Sequence, residues 1–380
     1  MEIKMRTIFP SICMILLFTF FVFTMFSTVN SATIDAGTAQ IKNPVSVTIV
    51  KAPSVVVKPA QYASSSQYKT TSIETKKNTI KTSTGNINYT FTTEYFLPAV
   101  WKYRASWVNV QSIERVGNYM YVVVSDPSRP NTGFIVRYDM SILNKYKINQ
   151  AGSTLPALRK IGDYLRDGKQ LSSTQLEILK AIKIGPKFNI GHGQSLAYNP
   201  KTKTLWMWQD DVTSSNLKLL QISTTTLKPV NLYKFQLEGT GFKISGVHNL
   251  AFDKDGYFYI AICQVKSGCQ VPVGGVKFYR GKISGTKVVN VSCVKSVISH
   301  FPGTIHQSIE INPVTNCLYL ISDDVFYMVP ISKLLAGTIT VKDLKYTKFS
   351  TDREFESVTF DPNGKEYLLL LRGPEILKAR

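Results

Sequence analysis

The sequence predicts an all-β fold: a five-bladed β-propeller that carries a small helical insertion and a disordered N-terminal leader. Three observations predict this fold. One layout occurs five times in the second part of the chain, apolar residues alternate in the first strand of each copy, and tight-turn residues follow that strand. Units of about 50 residues with two inner strands are typical of propeller blades. A β-sandwich with a coincidental repeat is the alternative.

Residues 1–31 have the features of an export signal. Lys4 and Arg6 precede the apolar run 14–26 (MILLFTFFVFTMF), and small residues follow at 29–31. The run is short for a spanning helix, so cleavage is favoured over a retained membrane anchor. The sequence therefore predicts a secreted protein, which is either released into the medium or associated with the cell wall.

A basic leader is predicted next. Residues 32–86 are rich in Ser, Thr and Lys and lack sustained apolar periodicity, which favours a disordered spacer. The propeller domain is then expected over residues 87–380. A helical insertion is expected over about 154–185, because Leu155, Leu158, Ile161 and Leu165 recur at helical spacing and Ser172 is placed to cap a second helix.

The repeat itself opens with a polar residue, a small polar residue and an apolar one. Its five copies are Gln111-Ser112-Ile113, Gln194-Ser195-Leu196, His248-Asn249-Leu250, Gln307-Ser308-Ile309 and Glu356-Ser357-Val358. Each copy continues into a nearly continuous apolar run, as expected for a strand buried on both faces. The last copy has room for only three strands, so 87–96 is predicted to supply its outer strand and close the ring.

Propeller geometry predicts that side chains from all repeats meet at one mouth of a central channel. The residues expected there are Gln111, His192, Gln194, His248, His306, Gln307 and Glu356 from the repeat openings, and Asp126, Asp210, Asp211, Asp323 and Asp324 from the ends of the second strands. Such a face suits a polar ligand. Alternatively, the ring side chains hydrogen-bond neighbouring blades, and each Asp is a turn former.

No metal site, cofactor or catalytic residue is assigned. The segment 193–197 is weakly similar to a nucleophile elbow, but a strand follows it where that motif needs a helix, so serine hydrolysis is disfavoured. Four cysteines follow the signal: Cys263, Cys269, Cys293 and Cys317. They permit two disulfides in an exported chain, or they are free buried thiols.

The net charge limits the classes of binding partner that we expect. The chain has 45 Lys and Arg against 25 Asp and Glu, a net charge of +20. A field of this sign favours anionic polymers of the cell wall, with peripheral membrane contact as a further option. Nucleic acid is excluded, because no Arg-rich helix or aromatic RNA-binding signature occurs. A monomer is expected.

The stretch 191–211 (GHGQSLAYNPKTKTLWMWQDD) resembles a motif of exported proteins of lactic acid bacteria, the helveticin J family of large bacteriocins. The later segments 248–256 and 356–361 fit the same layout. The resemblance covers about residues 100–380. It implies a secreted antibacterial protein that acts on the envelope of related Gram-positive bacteria, and it supplies no catalytic residues. A non-enzymatic protein is favoured, and an enzyme stays open as an alternative. The alternatives are an adhesion propeller for teichoic acid or polysaccharide, and a propeller lyase or hydrolase for a wall-linked substrate with His248 and His306 as base and acid.

Overall fold

The computed structural model describes residues 31–44, 46–53, 74–98, 109–210, 214–263, 274–303, 305–371 and 373–380. Within these residues the protein is mostly β, which confirms the predicted class. The export signal and Cys269 lie outside the described residues. No helix in the described ranges has the length and apolar character needed to cross a membrane.

Four strands precede the repeats: β1 (Ala32–Gln40), β2 (Thr48–Val50), β3 (Thr79–Gly85) and β4 (Thr90–Phe96). The first repeat forms β5 (Asn109–Val116), β6 (Tyr119–Ser125), β7 (Thr132–Asp139), β8 (Ile182–Ile184) and β9 (Phe188–Asn189). The second forms β10 (Ala197–Asn199), β11 (Thr204–Trp208), β12 (Leu217–Ile222), β13 (Pro229–Gly239) and β14 (Phe242–Lys243).

The third repeat forms β15 (Ala251–Phe252), β16 (Tyr257–Cys263), β17 (Val276–Ser284) and β18 (Lys287–Ile298). The fourth forms β19 (His306–Ile311), β20 (Cys317–Ser322), β21 (Val325–Pro330) and β22 (Lys345–Phe349), and the fifth forms β23 (Phe355–Phe360), β24 (Glu366–Leu370) and β25 (Glu375–Ala379). Each repeat is an antiparallel meander. The fourth and fifth meanders join into one nine-stranded sheet, because β3 pairs with both β22 and β4.

The first strands of the five repeats contact one another in a closed cycle. Going round it, β5 touches β10, β10 touches β15, β15 touches β19, β19 touches β23, and β23 touches β5. Five buried apolar clusters lie between successive meanders and make up the core. Face-to-face packing of sheets around a common axis is the β-propeller type of architecture.

The predicted ring closure is confirmed, because β4 pairs antiparallel with β25 as the outer strand of the last meander. The predicted disorder of the leader is wrong for its described parts. β1 pairs parallel with β13, and β2 pairs parallel with β18. The outer edges of these two meanders present unpaired backbone groups, and the leader strands satisfy them although they lack a strong apolar pattern. Ile34, Ala39 and Ile41 also pack against the cluster between the second and third meanders.

Four short helices lie outside the sheets in the described ranges: α1 (Met140–Lys145), α2 (Ala157–Arg166), α3 (Ser173–Leu179) and α4 (Ile331–Ala336). The helices α2 and α3 lie in the predicted insertion, and Ser172 caps α3 in a capping box with Gln175. The buried Arg159 of α2 donates hydrogen bonds of 3.2 Å to the carbonyls of Gly373 and Pro374, just before β25. These bonds place the insertion beside the outer part of the last meander.

Candidate functional site

The opening residues of three repeats lie in β-bulges. The pairing register shifts at Gln111 in β5, at Gln307 in β19 and at Glu356 in β23. A bulge places two residues opposite one and re-aims the extra side chain. All three side chains are buried. The sequence shows the repeated residue type, whereas the bulge that directs it inward becomes visible only in the pairing register.

Gln194 links three repeats across the channel. Its Nε2 atom donates a hydrogen bond of 2.9 Å to Oε2 of Glu356 and another to Oε1 of Gln307. These residues belong to the second, fourth and fifth meanders, so the side chains fill the axis at this end. Gln111 of the first meander is adjacent, since a Cβ atom added at Gly193 would lie 3.3 Å from its Cβ. The structure therefore brings these four predicted residues together.

Two predicted histidines also meet. The ring centroids of His248 and His306 are 4.8 Å apart, and Nε2 of His248 donates to the carbonyl of His306 at 3.2 Å. Asn249 bonds both backbone groups of Ala261 through its amide, so its Nδ2 is the donor to Nε2 of His306 at 3.2 Å. Nδ1 of His306 then carries the proton and faces Sγ of Cys263 at 3.7 Å.

These contacts keep both imidazoles neutral. Burial lowers the pKa of His248, against the opposing effect of Asp210. Burial, and then the neighbouring His248, lowers the pKa of His306 well below its usual value. Both ring nitrogens of His306 bond protein groups, so it is poorly placed to exchange a proton with a ligand. His248 and His306 therefore pack the third meander against the fourth.

His192 is exposed, and its backbone N–H donates to Oδ1 of Asp210. Burial raises the pKa of the Asp210 carboxyl. The hydrogen bond from His192 and the charges of His192 and His248 partly offset that rise. Within the described ranges, no group of three or more His, Cys, Asp or Glu side chains could hold a metal ion.

Of the remaining aspartates predicted for the ring, Asp126 and Asp324 lie beside lysines, and Asp323 accepts a hydrogen bond from Ser322 Oγ at 2.5 Å. Asp126 accepts hydrogen bonds from Ser128 and from Lys187 Nζ, the latter at 2.5 Å. Burial alone would raise its pKa, but these bonds lower it to about 2. Asp324 is 3.7 Å from Lys348, and burial followed by repulsion from Asp323 raises its pKa to about 6. Asp211 lies outside the described residues.

Two of the repeated serines, Ser112 and Ser195, have structural partners. Ser112 Oγ donates to the carbonyl of Gly193 at 2.6 Å and accepts from the N–H of Leu196, which joins the first and second meanders. Ser195 Oγ accepts from the N–H of Trp208 at 2.8 Å. These bonds account for Ser112 and Ser195 without a nucleophilic role.

The opposite end of the channel holds a cleft that the sequence reasoning missed. It has a volume of about 450 Å³, and all five first strands contribute to its walls. Its lining includes Glu114, Arg115, Tyr198, Phe252, Lys254, Glu310, Thr359 and Phe360. This volume lies in the range of small-molecule sites.

Glu114 and Glu310 form a carboxyl pair in this cleft. Their side chains are hydrogen-bonded, and the two residues are only 7% and 8% exposed. The backbone N–H of Ile311 donates to Oε1 of Glu310 at 2.8 Å, while Oε2 of Glu114 has no hydrogen-bond partner. A signal for this pair exists in the sequence: Gln-Ser-Ile-Glu occurs twice, at 111–114 and 307–310.

The environment keeps a proton on this pair. Burial, and then the charge of Glu310, raises the pKa of Glu114 well above its usual value. Burial raises the pKa of Glu310 to about 8, against the hydrogen bonds from Ile311 and Glu114. Two adjacent carboxyls cannot both ionise cheaply in a dry site, so one stays protonated near neutral pH.

The cleft lining also includes two cationic residues and three aromatic ones: Arg115, Lys254, Tyr198, Phe252 and Phe360. Arg115 lies 3.7 Å from Asp361 and stacks 4.8 Å above the ring of Tyr367. Lys254 is exposed at the tip of the hairpin between β15 and β16. Aromatic faces beside positive charge suit a sugar that carries an anionic group.

No family model matches this chain, and no curated protein matches it either. Among solved structures, a gluconolactonase from Xanthomonas campestris is 7% identical, with 85% of this chain and 98% of that chain covered and a TM-score of 0.36. A streptogramin B lyase is 13% identical over 76% and 97% of the two chains, with a TM-score of 0.34. The soluble aldose sugar dehydrogenase of Escherichia coli is 12% identical over 72% and 96%, with a TM-score of 0.33. The likeness is too weak to transfer an activity.

Proposed function

We propose that this protein is an exported, five-bladed β-propeller enzyme, a hydrolase or lyase that acts on an anionic, sugar-containing polymer of the bacterial cell wall. The reaction takes place in the cleft over Glu114 and Glu310. The hydrogen-bonded carboxyl pair in that cleft is the single observation that carries the proposal. The closed cycle of five first strands, with a buried cluster between each two meanders, supports five blades.

A half-protonated pair supplies both partners of acid–base catalysis. The ionised carboxylate accepts a proton from an attacking water in hydrolysis, or from a substrate carbon in elimination. The protonated carboxyl donates its proton to the leaving oxygen as the bond to that oxygen breaks. After each turnover the pair again holds one proton, because one was accepted and one was given.

The substrate class follows from the surroundings of the pair. The net charge of +20 concentrates polyanions at the surface. Tyr198, Phe252 and Phe360 come from three different first strands and offer apolar faces to sugar rings, while Lys254 lies beside the entrance. A short segment of an acidic polysaccharide or of a teichoic acid fits this combination.

The test uses Glu114→Gln and Glu310→Gln, which keep the size of each side chain and remove its acid–base function. Each variant is incubated with purified Gram-positive wall fractions, and soluble fragments, new reducing ends and ultraviolet-absorbing unsaturated sugars are measured. Glu177→Gln, an exposed change on α3, serves as the matched control. We expect the control to release fragments like the unchanged protein and both cleft variants to lose about 100-fold or more of the rate.

Retained wall binding in the two cleft variants would show that they are folded and lack only chemistry. Release of fragments at the unchanged rate by both cleft variants would overturn the proposal. Reducing ends indicate hydrolysis, and unsaturated products indicate elimination.

A second candidate is a non-catalytic, antibacterial envelope-binding protein of the helveticin J type. The strong positive charge and the resemblance over residues 191–211 favour it. Killing of an indicator strain by the Glu114→Gln and Glu310→Gln variants at full potency, with no release of wall fragments by the unchanged protein, would favour this candidate.

A further inference from the structure

A concave surface of about 680 Å³ lies on the outer part of the second meander. Its lining comes from β1, β12 and β13 and from the residue before β12, whereas the first strand β10 contributes nothing to it. We propose that this surface binds a phosphodiester polymer of the teichoic acid type. It is a second binding site, separate from the cleft, and it does not rest on the reaction proposed for Glu114 and Glu310.

Two lysines stand directly opposite each other in this surface. Lys218 of β12 pairs in register with Lys234 of β13, and both residues belong to the lining. Like charges directly opposite across a strand pair destabilise a sheet. Asp35 of β1 lies next to Lys234 in the register, but its Oδ1 atom accepts from the N–H of Gly37 at 3.0 Å. Within the described ranges neither lysine forms an ion pair, so both ammonium groups are available to an anion.

A third lysine is linked to this surface through two amides. Lys243 Nζ donates to Oε1 of Gln236 at 2.9 Å, and Nε2 of Gln236 donates to Oδ1 of Asn216 at 2.6 Å. Because the oxygen of Asn216 is occupied, its amide offers N–H donors to a ligand. Glu238 lies opposite Lys243 in the register but does not line the surface. Positive charge and hydrogen-bond donors therefore predominate here.

The second meander is left uncovered at this place. Leu220 and Leu232 lie two positions from the lysines on the same strands, and they pack in or against the buried cluster between the first and second meanders. Side chains two positions apart in a strand point to the same face, so the lysines stand on the side of the first meander. The outer strand β8 of that meander has only 3 residues, against 11 in β13. No residue of the first meander lines the surface, so it is open to a polymer.

The lining groups indicate which anion fits. The cations are lysines, which bind phosphate as point charges, whereas the planar fork of arginine matches carboxylates. The hydroxyls of Thr33 and Thr38 and the amide of Asn216 can hydrogen-bond the hydroxyl groups of a polyol or a sugar. Teichoic acids combine these two features, because their phosphodiesters alternate with polyol or sugar units. The polar residues of β1 thus complete a binding surface, besides covering the edge of β13.

The experiment is calorimetric titration of the full chain with poly(glycerol phosphate) at low ionic strength. Polygalacturonate serves as a carboxylate polymer and dextran as a neutral one. The double variant Lys218→Gln/Lys234→Gln should lower the affinity for poly(glycerol phosphate) at least about tenfold, because both charges of the opposed pair are lost. The matched control Lys183→Gln/Lys287→Gln removes the same charge from two other exposed strand lysines, and it should lower the affinity by about twofold or less.

Asp35→Asn is a second test that works in the opposite direction. It keeps an oxygen for the N–H of Gly37 and removes the one carboxylate of the lining, so the affinity should rise about threefold. Misfolding cannot produce a gain in affinity, so this variant decides the result if circular dichroism shows that the lysine variant does not fold.

Equal losses of affinity in the two double variants would mean that only the net charge attracts the polymer, and they would overturn the proposal. Unchanged affinity in Asp35→Asn would overturn it too. Polygalacturonate bound as tightly as poly(glycerol phosphate), with the same dependence on Lys218 and Lys234, would overturn the assignment to a phosphodiester. These results need no turnover, so this proposal and the one for the cleft can each fail alone.

Discussion

Different side chains at equivalent repeat openings make the same kind of hydrogen bond. Ser195 accepts a hydrogen bond from the N–H of Trp208 in its own meander. Asn249, at the equivalent position of the third repeat, accepts from the N–H of Ala261 and also donates to its carbonyl and to His306. The larger amide thus performs the bond of the serine and adds a contact to the fourth meander. Equivalent residues in a repeat need not have one function.

The carboxyl pair predicts a pH dependence of stability. In the unfolded chain, Glu114 and Glu310 titrate near 4.5, whereas burial raises the pKa of Glu310 in the folded protein to about 8. The folded state therefore holds more protons between these values, so the stabilisation is complete below about pH 4.5 and is lost as the pH rises through 8. We expect the free energy of unfolding to fall by on the order of 5 kcal/mol over this window, since each unit of pKa shift is worth about 1.4 kcal/mol.

The measurement is urea unfolding at several pH values, compared with the double variant Glu114→Gln/Glu310→Gln. Asp324 titrates with the same sign, and His248 and His306 with the opposite sign, but all three are present in both proteins and cancel in the difference. Parallel stability curves for the two proteins would contradict the assignment of a shared proton.

Among the elements, the leader strands are the clearest departure from the sequence-based expectation. Few of their residues are apolar, and most residues of β1 are exposed or half-exposed. Their pairing is decided by the open edges of β13 and β18, which come some 190–250 residues later in the chain. No local pattern encodes such a partner, because the need for the strand arises in the tertiary structure.

Deleting residues 32–53 tests the importance of these strands. The deletion uncovers the edges of β13 and β18 and the apolar surface under Ile34 and Ile41. We expect a lower melting temperature and concentration-dependent association through the exposed edges, measured by light scattering coupled to gel filtration. A chain that lacks only residues 1–31 is the control. An equally stable monomer after the longer deletion would mean that β1 and β2 are dispensable.

The elements that were predicted correctly share one property: their signal is local or periodic. Ser172 stands three residues before Gln175 and forms the capping box. The pairing of β4 with β25 followed from counting the strands of the last repeat.

The site was predicted less well. The convergence of Gln194, Gln307 and Glu356 follows from the radial arrangement, whereas the contact of Glu114 with Glu310 depends on which two first strands approach across the axis.

At the scale of the whole molecule, the charge predicts how binding responds to salt. A net charge of +20 attracts polyanions through a field that salt screens over about 10 Å at 0.1 M. We expect affinity for isolated teichoic acid to fall steeply as NaCl rises from about 50 to 500 mM. Sedimentation of the labelled protein with wall fractions measures this, with a neutral polysaccharide as the comparison. Binding that is insensitive to salt would assign recognition to the cleft and its aromatic residues alone.

The pairing of β4 with β25 has a consequence for how the molecule is made. The two strands are separated by nearly the whole repeat region, because β4 precedes the first repeat and β25 belongs to the fifth. The circle cannot be joined before β25 has been synthesised, and contacts of such high sequence separation slow folding. Until then one edge of β4 stays unpaired. Newly synthesised chains should accordingly depend on a chaperone, or on delayed folding, more than the completed protein does.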